Sequence, residues 1–293
     1  MQPQLSVKML SFIRKNIYLA IALITIVWSL FSSIDNPDHK KTTYAFAEED
    51  TSLITKKINE KKLQNLNRYR LKTDGGNRRS GMGTAFYIGN NMWLTARHVV
   101  NKCEQVLMKE RSKKGLIEKI LIHPNSDLAL FKHSDTREPA KFKLATNILQ
   151  SSFTTGFPGG TPGDAALALA GFMAMEERGY NILEKHTIFA VLEKHPTSLV
   201  SFGGISGGPS FDRFGNLNGV IVAEFTRRGL LGAVGIEQIS WLITASKKDS
   251  YFFEKTRNKT EKKLNTSVSQ NNFKKVGERL RKEGSVSHLF CIA

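Results

Sequence analysis

Between residues 84 and 225 the apolar residues come in short runs, each cut off by Gly, Asn, Pro or a polar stretch. The runs span 84–88, 92–94, 105–108, 116–122, 128–132, 187–192 and 217–225. They are too short for ordinary helices, and β-branched and aromatic residues fill several of them, so they read as strands. Turn residues at such intervals are the pattern of an all-β barrel or sandwich. One helical stretch follows at 236–247, with Ile239, Leu242 and Ile243 at helical spacing. The chain of 293 residues is 40% apolar and 24% charged, which excludes collagen, a polytopic membrane protein and a wholly disordered chain. Two cysteines, Cys103 and Cys291, allow one internal disulfide at most and exclude a Cys-rich zinc module.

The N-terminal region has another character. Residues 17–31 carry no charge, with Lys8, Arg14 and Lys15 ahead of them and Ser32, Ser33 and Ile34 behind. A basic flank before an apolar core is the arrangement of a signal peptide or signal anchor whose basic end stays in the cytoplasm. Ala45-Phe46-Ala47 has the form of a cleavage site but lies about 14 residues beyond the apolar run, so an uncleaved anchor is the favoured reading and cleavage followed by secretion the alternative. The expected organisation is a basic segment at 1–16, a signal anchor or transmembrane helix at 17–34, a polar linker or stalk at 35–79, the β-rich domain at 80–247 and a basic tail at 248–293.

The formal net charge is +17, and it is uneven. Residues 79–245 hold 18 basic against 14 acidic residues, whereas 246–293 hold 12 against 5. A basic tail can touch lipid or nucleic acid. Its lysines lack the interleaved aromatics that stack bases, so nucleic acid is not the expected partner. A polyanion binder working through residues 246–282 remains a rival reading.

Three segments carry chemistry. In Gly204-Ile205-Ser206-Gly207-Gly208-Pro209 the glycines let the backbone turn tightly around a serine and leave N–H groups facing one spot, the geometry of an oxyanion hole made by Gly204 and Ser206. A serine hydroxyl also needs a base. Among seven histidines, His98 ends Trp93-Leu94-Thr95-Ala96-Arg97-His98, which follows an Asn90-Asn91 turn, so a hairpin delivers its imidazole at a strand end. Asp127 stands immediately before the apolar run 128–132, placed to be partly buried and to orient that imidazole. His39, His133, His186 and His195 read as linker, loop or strand-end residues.

Chain order separates the candidate folds. Gly204-x-Ser206-x-Gly208 also fits the elbow of α/β-hydrolases, but there the histidine follows the serine, and only His288 does so here. An order of acid, histidine, serine would need an acid from the linker. The order His98, Asp127, Ser206 fits the remaining arrangement.

Thr95-Ala96-Arg97-His98, Asp127-Leu128-Ala129-Leu130 and the Gly204–Pro209 hexapeptide together resemble the trypsin-like serine peptidases of chymotrypsin fold, in the compact bacterial form that includes the HtrA type. The resemblance covers about residues 80–245. It implies a chymotrypsin-like double β-barrel with a C-terminal helix, preceded by the apolar signal or anchor helix, and an active site between the barrels. His98 and Asp127 would come from the first barrel and Ser206 from the second. The activity implied is hydrolysis of peptide bonds in a protein or peptide substrate through an acyl-enzyme, with no metal and no organic cofactor. Gly156-Phe157-Pro158-Gly159-Gly160-Thr161-Pro162-Gly163 is similar to the glycine-rich loop that opens the second barrel in this family.

The departures matter too. Ile205 stands where digestive trypsins carry an aspartate that pairs with a freed N-terminus, and Arg97 replaces a small residue before the histidine, setting a cation beside the triad. Regulation by a PDZ-like region after residue 245 is not expected. Relatives of this kind often end in a tail bearing one Cys, which makes a Cys103–Cys291 disulfide the expectation for an exported chain, with two free thiols the alternative. Val200, Ser201, Ala223 and Glu224 are the residues expected to line the substrate pocket. They favour a small or medium apolar side chain, or a basic one if Glu224 points inward. The expected location is the cell membrane, with the peptidase domain in the periplasm or outside. The alternative function is a catalytically silent binding or chaperone protein on the same fold.

Overall fold

Asn90 and Asn91 both take positive φ, 53° and 57°, so the chain reverses in a two-residue turn whose twist suits the strands on either side. The reversal pairs β3 (Gly81–Gly89) with β4 (Met92–Ala96), setting Phe86 opposite Leu94 and Tyr87 opposite Trp93. This is the hairpin read from the sequence. The computed structural model describes residues 40–48, 63–71, 80–110, 113–134, 137, 139–177, 182–252, 262–264 and 266–293. The 1–16 segment and the anchor expected at 17–34 lie outside the described residues. Among those described, no helix is long and apolar enough to cross a membrane.

The hairpin sits inside the first of two sheets. Its strands also include β1 (Thr43–Phe46), β5 (Gln105–Lys109), β6 (Lys114–Leu116), β7 (Lys119–Ile122), β8 (Leu128–Lys132) and β16 (Val286–Ile292), in the order β1-β7-β8-β4-β3-β16-β5-β6. Strands β6 and β7 are one bent stretch of chain, and the Ile117 N–H donates to the Val106 carbonyl at 2.8 Å, which brings the sheet round on itself as a barrel. The run 128–131, apolar at every position, is wholly buried in β8 and packs with Phe86 and Trp93 in the core.

The second sheet closes fully. Its ring is β10 (Ser151–Gly156), β13 (Pro209–Phe211), β14 (Asn216–Phe225), β15 (Leu230–Gly235), β12 (Ile182–His195) and β11 (Gly163–Glu177), which returns to pair with β10. β2 (Arg68–Leu71) lies parallel on β11, and the short β9 (Lys143–Leu144) lies on β14. Of this sheet the sequence reading holds only β12 and β14, and the strands it lacks include β10 and β11. β11 runs Gly-Asp-Ala-Ala-Leu-Ala-Leu-Ala, and alanine has little intrinsic preference for strands. Its pairing with neighbours on both sides decides its state. The fold is all-β, two barrels with few helices. α1 (Arg97–Val100) is a single turn, and α2 (Ile236–Ser246) buries Ile239 and Leu242 as its spacing predicts.

The domain limits drawn at 79/80 and 247/248 need correction. Thr43–Phe46 and Arg68–Leu71, inside the expected linker, are strands of the two sheets. The expected basic tail supplies α3 (Phe273–Lys282) and β16. α3 turns Phe273, Val276 and Leu280 inward and its lysines outward, so amphipathic spacing was hidden by its net charge. Arg281 forms a two-pronged ion pair with buried Asp164 of β11, at 2.5 and 3.0 Å. β16 lies between β3 and β5, and a disulfide joins Cys291 to Cys103, with Cα atoms 5.3 Å apart.

Candidate active site

The end of β4 fixes the first member of the site. After Ala96 the chain enters α1, and the Arg97 N–H donates to the Asp127 carbonyl at 3.2 Å, tying this turn to the loop before β8. His98 is therefore held against Asp127 by backbone as well as side chain. Its N–H donates to Asp127 Oδ1 at 2.8 Å, and its ring Nδ1 lies 2.6 Å from Oδ2. Asp127 is 1% exposed. An ionised carboxylate at that depth needs both oxygens engaged, and one residue engages both. With a carboxylate facing Nδ1, that nitrogen carries the proton and Nε2 faces the other way as the acceptor.

Arg97, the cation expected beside the triad, reaches into the loop before β8. Its Nη1 donates to the carbonyls of His123 and Pro124, both at 3.4 Å, and its guanidinium lies 5.4 Å from the Phe46 ring centre. It braces the loop that leads to Asp127. His123, in that loop, is buried against Trp241, and desolvation drives its pKa down to about 3, with an interaction with the Gln238 side chain opposing and the charge of Arg97 adding.

Ser206 belongs to the turn between β12 and β13. Gly207, with φ +86°, explains how close this turn comes to the first barrel, because a Cβ there would lie 2.1 Å from the Thr84 carbonyl oxygen and 2.9 Å from the Ala96 nitrogen. The serine thus stands one residue from a backbone pressed onto the end of β4, two residues before His98. Thr84 of β3 holds it there. Its N–H donates to the Ser206 carbonyl at 2.8 Å, and its hydroxyl donates to the Gly204 carbonyl at 2.9 Å while accepting from the Phe157 N–H at 3.1 Å.

The N–H groups of the turn divide into two sets. Those of Gly203, Ile205, Gly207 and Gly208 donate to Ser201 Oγ and to the carbonyls of Phe202, Ile221 and Ile205. Those of Gly204 and Ser206 have no hydrogen-bond acceptor among the described residues. Planar trans peptides explain the direction of both. The Gly203 carbonyl accepts from Gly159 and the Ile205 carbonyl from Gly208, so the N–H on the far side of each peptide points away from these partners. A partly buried serine accompanied by two unspent donors is an arrangement suited to stabilising an oxyanion.

The residues expected to line a pocket separate. A cleft of about 270 Å³ is lined by Val200, Phe202 and Glu224 together with residues of β12 and β15. Ser201 and Ala223 are not in its wall, and Ala223 packs in the core instead. The Glu224 carboxylate is engaged, accepting from the Ser201 hydroxyl at 2.7 Å and the Phe202 N–H at 2.9 Å. Among the described residues, no cluster of three or more His, Cys, Asp or Glu is placed to hold a metal.

Sequence reasoning missed two residues. Thr84 reads only as part of a strand. Glu184 sits in Glu184-Lys185-His186, a charged stretch that looks like a loop or strand end, yet Glu184 and His186 are both buried. Their one signal is alternation, since positions 182, 184, 186 and 188 of β12 all face inward.

Residues 83–220 match the family model for the trypsin-like peptidase domain. No curated protein matches the chain. Among solved structures it is similar to the active form of the Rv3671c protease from M. tuberculosis (15% identity, TM-score 0.48, 75% of this chain and 93% of that one). It is also similar to a human pathogenic astrovirus serine protease (20%, 0.41, 57% and 93%) and to the HtrA-type protease AlgW (18%, 0.43, 58% and 51%).

Proposed function

Because the chain belongs through residues 83–220 to the trypsin-like peptidase family, we propose that it is a serine endopeptidase working through His98, Asp127 and Ser206. The observation that carries this reading is the double hold of Asp127 on His98, at 2.6 and 2.8 Å, beside the Ser206 turn. Asp127 keeps the proton on Nδ1, so Nε2 is the base that takes the Ser206 proton as Oγ attacks a peptide carbonyl. Asp127 then stabilises the imidazolium. The Gly204 and Ser206 N–H groups receive the oxyanion of the tetrahedral intermediate. His98 returns its proton to the leaving amine as the C–N bond breaks, leaving Ser206 acylated. Water attacks the ester with His98 again as base, which releases the acid and restores the serine.

The chain is read as a cell-envelope protein, anchored by residues 17–34 with the peptidase domain in the periplasm or outside. The uncharged run at 17–31 with its basic flank supports this, as does the disulfide, a bond that persists in oxidising compartments. Retention of the anchor is supported by β1. Ala47 is buried and donates to Ile122, so cleavage after it would remove a strand of the first sheet. The substrate is a protein or peptide, with the cleft at Val200, Phe202 and Glu224 as the candidate side-chain pocket.

The test is covalent. The full chain should react with a fluorophosphonate, and Ser206→Ala should abolish the reaction. Labelling that survives that substitution refutes the assignment.

A further inference from the structure

Asp127 is carried by the first barrel and Ser206 by the second, so the spacing of the catalytic groups depends on how the barrels are registered. One side chain spans that join at the acid. Glu184, on β12 of the second barrel, is buried, and its two oxygens are divided between neighbouring residues of the acid loop. Oε2 accepts from the Ser126 hydroxyl at 2.7 Å, and Oε1 accepts from the backbone N–H of Asp127 at 3.0 Å. Ser126 is fully buried as well. From the first barrel the same loop is braced by Arg97, on the carbonyls of His123, Pro124 and Asp127. The loop is thus gripped by its carbonyls from one barrel and by its N–H and hydroxyl from the other.

A second buried carboxylate this close to Asp127 is costly, because each charge loses its hydration and the two repel. The groups facing it moderate that cost. His186, two residues along the same strand and fully buried, places Nε2 3.1 Å from Glu184 Oε1 without hydrogen-bond geometry, and the donors to the carboxylate are the Ser126 hydroxyl and the Asp127 N–H. An apolar residue would fill this position with less penalty, and packing alone does not explain a carboxylate.

We propose that Glu184 is a positioning residue for the catalytic acid. By fixing the Asp127 N–H it fixes the direction of the Cα–Cβ bond, and so the plane in which the carboxylate meets His98 Nδ1. It touches neither substrate nor reacting atoms. Its effect passes through Asp127 to the imidazole, and through β12 it locks the acid loop to the barrel that holds Ser206. The proposal rests on the serine-peptidase reading above.

The experiment measures the rate constant of fluorophosphonate labelling against pH in the full chain, for the wild type, Glu184→Ala, Glu184→Gln and Ser126→Ala. Glu184→Ala should slow labelling by about 10 to 100-fold, the range seen when an orienting partner is removed. A misaimed carboxylate stabilises the imidazolium less, so the acid limb of that variant's profile should move to lower pH by about half a unit or more. Glutamine still offers an oxygen to the Asp127 N–H, so Glu184→Gln should stay within about fivefold of wild type with its acid limb in place. Ser126→Ala, which leaves Glu184 and Asp127 intact, should fall between. If Glu184→Ala does not fold, the ordering of Ser126→Ala below Glu184→Gln, with a shifted acid limb only in the former, decides. Wild-type rates in Glu184→Ala, or an unmoved acid limb in every slowed variant, would overturn the proposal while leaving the Ser206-dependent reaction standing. A wild-type chain that never labels would remove the parent reading itself.

Discussion

The N–H of Thr84 in the first barrel donates to the carbonyl of Ser206 in the second at 2.8 Å, and this bond joins the barrels at the candidate nucleophile. The Thr84 hydroxyl extends the joint by donating to Gly204 and accepting from Phe157. Thr84→Val keeps the shape and the backbone bond but removes both hydroxyl contacts, leaving the Phe157 N–H without its acceptor. An unsatisfied buried donor costs about 1–3 kcal/mol. The expected outcome is a stability loss of that order by urea unfolding, with fluorophosphonate labelling slowed about tenfold as the Gly204 carbonyl loses its donor. Wild-type labelling in this variant would show that the oxyanion turn holds itself.

His288 of β16 gives the stability a pH dependence. Burial, aided by the charges of Lys109 and Lys114, drives its pKa from 6.5 to about 4. The ring stacks on Phe157 at 4.8 Å and also lies against Phe290. Between pH 6.5 and 4 the unfolded chain takes up a proton that the folded chain refuses. Stability is therefore full above 6.5, falls as the pH drops, and levels off for this group near 4. His123, down to about 3, adds a second decline in the same direction. The combined loss is on the order of a few kcal/mol. Urea midpoints measured from pH 7 to 4 should fall less steeply in His288→Leu than in wild type, and parallel curves would contradict this account.

Arg281 should matter more than its place in a lysine-rich helix suggests. Arg281→Ala leaves Asp164, 1% exposed, as a buried charge without its guanidinium. Breaking a buried pair from one side typically costs about 3–5 kcal/mol. Lysine offers a point charge in place of the two-pronged fit, so Arg281→Lys should recover only part of that. A loss below about 1 kcal/mol in the urea midpoint of Arg281→Ala would place the pair among weak surface contacts.

Local signals account for what was legible. The Asn90-Asn91 reversal, the apolar run of β8 and the spacing of α2 each specify their element within a few residues, and the motifs around His98, Asp127 and Ser206 stand at the ends of such elements. What stayed hidden depends on partners distant in the chain. The alanines of β11 are strand only because β10 and β12 flank them. β16 follows a charged segment that reads as a solvated tail, and its partner β3 begins about 200 residues earlier. Glu184 looks like a surface charge until β12 is seen to turn it inward against Ser126. Glu224 is a similar case, since whether it faces a ligand or its own backbone depends on how segment 201–202 folds back.

The seat of β16 orders events in time. The gap between β3 and β5 stays vacant until residues as late as Ile292 have been synthesised and, if the chain is exported, have crossed the membrane. His98 follows β4, the neighbour of β3, so the sheet that carries the candidate base is incomplete before then. A polypeptide built this way completes the sheet that carries its candidate base only once residues 286–292 have arrived.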